Sequence, residues 1–551
     1  MTRKEIGSIA GMLFFLCSPT LLGVWLAEDF GEGFWNHILF LLAGTCIYVA
    51  GISLFKRKTF FYIASVTFIP SGVEIVHLIL NHATTSIQFL YTCVIAEPGE
   101  LWELFTTYWW VLALAIALWS TYFYLLRHNI RNEYLIANAW VRYSVAAVCL
   151  IFYLVAWQSP AVQHASPAHF VTQSAQLVKL RQTIRHNEAL LSSFDFFIGS
   201  NQTSDENIVV FLIGETSRYD HWQLNGYHRP TSPLLMAREH QLVSFDSCYT
   251  VSNLTAISVP MMLSRATPED IIPLYTEKSV VEAYQAAGWR TSWIADQSFT
   301  NSQLLRISST CNQTYYFDSE DRLQRSYMDS VLLAPLSTEL SIQEGSQMIV
   351  IHSLGCHYKY SARYPKSFSV FVPDMKDRDL RTIVGDIRRD SLLLHDKHLL
   401  GEVRELLVNS YDNAIRYTDH FINEIILRLE AKGKRSVLIY VGDHGENLLD
   451  DERNMLMHGS FYGSRYEYHV PLFVWMSDQY REAYPEKVSA LKANKDKCMS
   501  TMVLYHSLLD AGYIIYEGKE ETMSIFSPSF ESQHPIQVLD ANLQCKELDE
   551  Y

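Results

Sequence analysis

Three short runs in this chain carry residues that ligate metals or move protons. Glu215 stands in GETSR (214–218), His352 and His357 in HSLGCH (352–357), and Asp443 and His444 in GDHGE (442–446), with His458 in MLMHGS one loop later. Each has a structural explanation when taken singly, a helix cap for the glutamate and packing for a histidine. Together they make the carboxylate-and-imidazole donor set that suits zinc or manganese. A fourth run, TVSNLTAISVP (250–260), carries the hydroxyls of Thr250, Ser252, Thr255 and Ser258. Such clusters commonly cap helices. Beside a divalent ion, a hydroxyl there would lose its proton near neutral pH and become a nucleophile. The residue types alone do not choose among the four.

The elements that must position these groups are legible as alternation. NIVVFLIG (207–214), WRTSWIA (289–295), SQMIVIHSLG (346–355), RSVLIYVGD (435–443) and HVPLFVWMS (469–477) are short β-rich apolar runs, separated by helical stretches such as SVVEAYQAAG and GEVRELLVNSYDNAIRYTDHFINEIILRLEAKG. This predicts an α/β domain with a mostly parallel sheet and helices on both faces. Ligands of such sheets sit at the carboxyl ends of the strands, and GETSR, HSLGCH and GDHGE directly follow three of the runs. The hydroxyl run follows the first strand and its loop. A helix starting there would bring free N–H groups to the same edge, where they attract phosphate.

The first third has a different solvent. Five nearly uncharged segments, roughly 7–27, 35–55, 60–80, 106–126 and 143–159, are long enough to span a bilayer as helices, although Glu74 and His77 interrupt the third. The flanks of the first do not read as a cleavable signal peptide. Arg3, Lys4, Lys56, Arg57, Lys58, Arg127, Arg131 and Arg142 fall on one side of these spans, and Glu28, Asp29, Glu32, Glu97, Glu100 and Glu103 on the other. The positive-inside rule puts the N-terminus in the cytoplasm and everything after about residue 160 outside. The expected organisation is an all-α five-helix transmembrane domain (1–160), a connector helix on the membrane surface (161–205) and an exported α/β domain (206–551). A net charge of −15 argues against a nucleic-acid partner. Of nine cysteines, Cys248, Cys311, Cys356, Cys498 and Cys545 lie in the exported part, where disulfides are permitted, but their pairing is not readable.

GETSRYDHWQLNGYHRPTSP (214–233), a Thr before SVP, HSLGCHYKYSARYP (352–365) and GDHGE followed by HGS resemble the bacterial phosphoethanolamine transferases. These are the lipid A and lipopolysaccharide-modifying enzymes of the alkaline phosphatase and sulfatase superfamily. The resemblance implies a multi-pass protein of the bacterial inner membrane with a periplasmic catalytic domain. It implies transfer of phosphoethanolamine from phosphatidylethanolamine to lipid A, core or another envelope glycan, through a zinc-activated threonine and a covalent intermediate, with release of diacylglycerol.

Carried onto this sequence, the family's nucleophile is Thr255, and Glu215, Asp443, His444 and the Thr255 oxygen hold the tightly bound Zn2+, with Mn2+ an alternative. His357 and His458 fall at the transferred phosphate or a second ion, Glu446 supports them, and Glu100 in AEPGE meets the donor headgroup. Ser252 and Asn253 are then left to cap the helix. The sequence departs from the family at Met261, which fills the place of a cysteine, and at Cys248, which lies further upstream than its partner should, so that local disulfide is absent. His357-Tyr358-Lys359 replaces HGP, and ADQSFTNSQLLR (295–306) holds no counterpart of the family's phosphate-site lysine. Acceptor contacts are expected within loops such as 361–400. The alternative is a phosphoglycerol transferase of the lipoteichoic-acid-synthase type, against which GETSR and NGY argue. A sulfatase would need Arg at the fifth position of its Cys/Ser-x-Pro-x-Arg signature, where this chain has Met262.

Overall fold

The computed structural model describes residues 2–27, 33–81, 83–95, 98–196, 206–296, 303–317, 328–376, 397–459 and 463–548. The chain divides into two compact units, chiefly Met1–Val94 with Trp102–Gln182, and Thr183–Gly459 with Gly463–Tyr551. The first is helical. Among the described residues, Phe34–Leu54 and Ala139–Ala156 are long and apolar enough to cross a membrane; the pair Arg3–Leu16 and Ser18–Leu26, bent by 49°, makes a third if counted as one span.

Two of the five expected segments are interrupted. Pro19, at the start of the second helix of the bent pair, cannot donate to the preceding turn, which breaks the first segment at Cys17. The 60–80 segment is divided into Arg57–Ala64, a 3₁₀ turn at Ser65–Thr67 and Phe68–Asn81. The 106–126 segment lies inside the helix Pro98–Asn129. Glu74 and His77 are buried: Glu74 accepts the Thr85 N–H at 3.2 Å, and His77 Nδ1 lies 2.8 Å from the Ala83 carbonyl. Ends of several of these helices meet. Arg57 pairs with Glu5 at 2.9 Å and Glu133 at 3.0 Å, and Glu5 accepts the Arg131 N–H at 3.1 Å.

The second unit is built on a seven-stranded sheet of β1 (Asn207–Gly214), β2 (Leu242–Phe245), β3 (Arg290–Ala295), β4 (Gln313–Tyr316), β5 (Gln347–His352), β6 (Arg435–Gly442) and β7 (Leu472–Met476), in the order β2-β7-β6-β1-β5-β3-β4. It is mixed. The pairs β6–β1, β1–β5, β5–β3 and β3–β4 run parallel, but β7 is antiparallel to both β6 and β2. Four of the six strand pairs are thus parallel, and the departure from the expected mostly parallel sheet is β7, in HVPLFVWMS. Between β6 and β7 the described chain forms the two-residue strands Asn447–Leu448 and Leu456–Met457 and the four-residue helix Arg465–Tyr468, and it re-enters the sheet at the edge it left, Leu472 opposite Val441, without crossing back to the other end. The two short edge strands β2 and β4 also escaped the apolar-run criterion.

Every residue of β1 is buried, because helices cover both faces. Val209, Phe211 and Ile213 pack on one side with the helices Val280–Ala286 and Leu504–Ala511. Ile208, Val210 and Leu212 pack on the other against Lys397–Lys432, which turns Leu407, Tyr411, Ile415, Ile422, Ile425 and Leu429 inward at helical spacing. This long helix also holds the loop after β1. Buried Asp412 accepts from Tyr227 at 3.0 Å and Arg229 at 2.8 Å, and its other oxygen lies 2.6 Å from His221 Nδ1. Removing a carboxylate that serves three half-buried or buried partners leaves them uncompensated. We expect Asp412→Ala to cost roughly 3 kcal/mol or more in denaturant unfolding followed by tryptophan fluorescence, and an unchanged midpoint would mean the loop is anchored elsewhere.

Candidate active site

Parallel pairing places the carboxyl ends of β6, β1 and β5 side by side, with Gly214 opposite Gly442 and Ile213 opposite His352. Glu215 and Asp443 therefore leave adjacent strands at the same level, and the Asp443 N–H donates to the Gly214 carbonyl at 2.8 Å. His444 follows. Its Nδ1 lies 2.9 Å from the Gly445 carbonyl, which keeps the proton there and turns Nε2 toward the carboxylates. Gly445 has to be glycine, since a Cβ would stand 1.9 Å from the Tyr466 carbonyl oxygen. Gly355, at φ +44°, lets HSLGCH pass over Glu215, where Cys356 donates to the Glu215 carbonyl at 3.0 Å.

Donor atoms of Glu215, Asp443 and His444 lie within 4.8 Å of one another. His444 Nε2 is 3.6 Å from Glu215 Oε1 and 3.4 Å from Asp443 Oδ2, close to the roughly 3.3–3.6 Å that separates the ligands of a tetrahedral zinc. The donor chemistry fits as well. Asp443 Oδ1 accepts the Thr216 N–H at 2.8 Å and the His444 N–H at 2.7 Å, whereas Oδ2 is buried without a hydrogen-bond partner. An orphaned carboxylate oxygen beside a second carboxylate is what a cation satisfies.

Thr255 is the first residue of the helix Thr255–Met262. Its Oγ1 lies 3.2 Å from Glu215 Oε2 and 3.1 Å from His444 Nε2. The other three hydroxyls of its run are fully buried away from this position. Thr250 donates to the Asp443 carbonyl at 2.6 Å, Ser258 Oγ has no partner, and Ser252 is buried. The expectation that Ser252 and Asn253 cap the helix is overturned. The N-cap is Leu254, with no side-chain bond, and the Asn253 amide is instead committed to Glu467 at 3.0 Å.

His458 reaches the same centre from the loop after β6, its ring 4.0 Å from that of His444 and its Nδ1 3.3 Å from Glu446 Oε1. The other Glu446 oxygen is buried without a partner. His352 Nε2 lies 3.9 Å from Glu215 Oε2. His357 sits on a loop tied by Arg363, which donates to its carbonyl at 3.1 Å, and by Asp329, which accepts the Leu354 N–H at 2.8 Å. Glu100 falls in the helix Pro98–Asn129, and its side chain lies outside the described residues, as do positions 377–396 of the expected acceptor loop. Sequence reasoning passed over Thr216, Arg218 and Tyr411. The first two stand inside GETSR, where they read as motif spacing, and Tyr411 reads only as a core position of a helix.

Burial opposes ionisation here and sorts the groups. It pushes His352 and His357 down to about 4 and, with the neighbouring His444, His458 down to about 3, so all three are neutral at physiological pH. Burial and the adjacent Glu215 push Asp443 up to about 8. Glu215 is held low despite its burial, chiefly by His444.

Residues 207–513 match the Sulfatase family. The chain belongs to that family. It is 29% identical over 319 residues to the Kdo(2)-lipid A phosphoethanolamine 7''-transferase of Escherichia coli K12, covering 56% of this chain and 52% of that protein. The chain thus spans about half the length of this curated relative. The chain is similar in fold to the integral membrane lipooligosaccharide phosphoethanolamine transferase A from Neisseria meningitidis, with a TM-score of 0.72 over 94% of this chain and 98% of that one at 20% identity. The second unit is similar in fold to the C-terminal periplasmic domain of EcEptC from Escherichia coli in complex with Zn, with a TM-score of 0.55 and 23% identity over 64% of this chain and 95% of that one.

A divalent ion must displace the proton that Asp443 retains up to about pH 8. Zinc affinity of the chelator-treated protein is therefore expected to fall as pH drops from 8 to 6, by roughly tenfold per unit for one displaced proton. Competition with a zinc-binding dye measures it, and a flat profile would contradict the assignment.

Proposed function

We propose that this protein is a transferase of the bacterial inner membrane that moves phosphoethanolamine from phosphatidylethanolamine to lipid A, lipopolysaccharide core or another envelope glycan. In this reading residues 1–160 span the membrane five times, 161–205 connect along its surface, and 206–551 work in the periplasm. The observation that carries it is the position of Thr255 Oγ1, between Glu215 and His444 and on the edge where Asp443 keeps one oxygen free. The relatives' names support phosphoethanolamine as the group transferred, and the apolar first third suits a lipid donor.

Glu215, Asp443, His444 and Thr255 would hold a Zn2+ ion, with Mn2+ an alternative; when bound, such an ion lowers the hydroxyl pKa and offsets charge on the phosphorus. The chain's own groups do the rest. Thr255 Oγ1 attacks the phosphorus of the donor, the bond to the glycerol oxygen breaks, and diacylglycerol leaves with the proton that Thr255 gave up. An acceptor oxygen then attacks the phosphoethanolamine on Thr255, and Thr255 recovers a proton as its bond to phosphorus breaks. His357 and His458, neutral at working pH, serve the phosphoryl oxygens or a second ion, with Glu446 orienting His458. Glu100 is assigned to the donor's ammonium group by charge.

Incubation with donor lipid followed by digestion and mass spectrometry should find phosphoethanolamine on the peptide containing Thr255. Thr255→Ala should abolish the adduct and lower transfer by roughly a thousandfold or more. A phosphoglycerol adduct would replace the reading with the lipoteichoic-type alternative, and full transfer by the variant would sink the nucleophile.

A further inference from the structure

Thr216 is a β-branched residue in the left-handed region, at φ 55°, and is fully buried. Such a conformation persists only where the surroundings enforce it. Here it lets one residue reach both carboxylates, its N–H donating to Asp443 Oδ1 at 2.8 Å and its hydroxyl to Glu215 Oε1 at 2.8 Å. The turn is bridged by a side chain from outside every strand-end motif. The Tyr411 hydroxyl donates to the Thr216 carbonyl at 2.7 Å and accepts the Arg218 N–H at 2.9 Å.

From this geometry we infer that Tyr411 is a positioning residue for the metal centre, holding the strained Thr216 turn and through it the orientation of the Asp443 and Glu215 carboxylates as ligands. This rests on the reading of Glu215, Asp443 and His444 as a zinc site. The phenol is well placed for the task. Its ring is fully buried, set edge-on to Tyr360 at 5.4 Å and His221 at 5.2 Å, so the hydroxyl has little freedom. Burial pushes its ionisation far above the usual range, which keeps it a donor. Without it the Thr216 carbonyl and the Arg218 N–H lose the partner that joins them across the turn.

The test uses the full chain in detergent, stripped with chelator and titrated with zinc against a competing dye. Tyr411→Phe keeps the ring and should weaken zinc binding by roughly tenfold, as loss of a group that orients a ligand does. Glycine adopts positive φ without help, so the same substitution in the Thr216→Gly background should cost less than about threefold. A purely structural tyrosine would not lose its effect on zinc when residue 216 is changed. Zinc binding by Tyr411→Phe within about twofold of wild type, or an equal loss in both backgrounds, overturns the inference. If Tyr411→Phe alone does not fold, the double variant decides: zinc binding equal to that of Thr216→Gly supports the inference, and misfolding of the double variant too overturns it. A wild-type protein that binds no zinc would remove the metal reading itself, an outcome distinct from wild-type binding that Tyr411→Phe leaves unchanged.

Discussion

Two carboxylates, Glu215 and Asp443, are buried next to each other at the ends of neighbouring parallel strands. That arrangement is costly unless something shares their charge, and much of the second unit can be understood as the means of keeping it. Two backbone N–H groups occupy one Asp443 oxygen, an imidazole with its proton turned away faces both acids, and a glycine lets the backbone pass where a Cβ would collide with Tyr466. Asp443 Oδ2, Glu446 Oε2 and His357 Nδ1 lack partners within the chain, and the first two belong to the GDHGE turn.

The long run from Gly214 to Pro233 has two physical jobs along its length. Its first residues supply Glu215 and the strained Thr216. Arg218 then ties the turn to the next loop, donating to Asp450 at 2.8 Å and to the Glu446 carbonyl at 3.2 Å. Beyond it, His221, Tyr227 and Arg229 converge on Asp412 and Thr231 donates to the His221 carbonyl at 2.7 Å, so NGYHRPTSP is anchoring rather than chemistry. The long helix is the common support, since Tyr411 and Asp412 are adjacent residues that serve the two halves of the run separately.

In the first unit the same logic operates in an apolar setting. Buried Arg57 joins Glu5 and Glu133, which fastens the starts and ends of separate helices at one end of the bundle. Glu74 and His77, which break the apolar pattern of their segment, are used on the backbone of residues 83–85. A charged residue in such a helix is retained where it has a partner.

Sequence periodicity by itself determined where most strands lie, that helices alternate with them, and that Glu215, Asp443 and His444 belong on one sheet edge, because a strand's carboxyl end is a local feature that apolar runs mark directly. It also located a helix, found over Ala168–Ser193. It did not determine the direction of β7, the short edge strands, or the break at Cys17, since pairing direction depends on the path between strands and not on their composition. Four hydroxyls in TVSNLTAISVP were equivalent by type. Only the tertiary structure separates Thr255 from Thr250, Ser252 and Ser258, and only it gives Tyr411 its place, because both depend on which atoms from distant segments arrive at the same point in space.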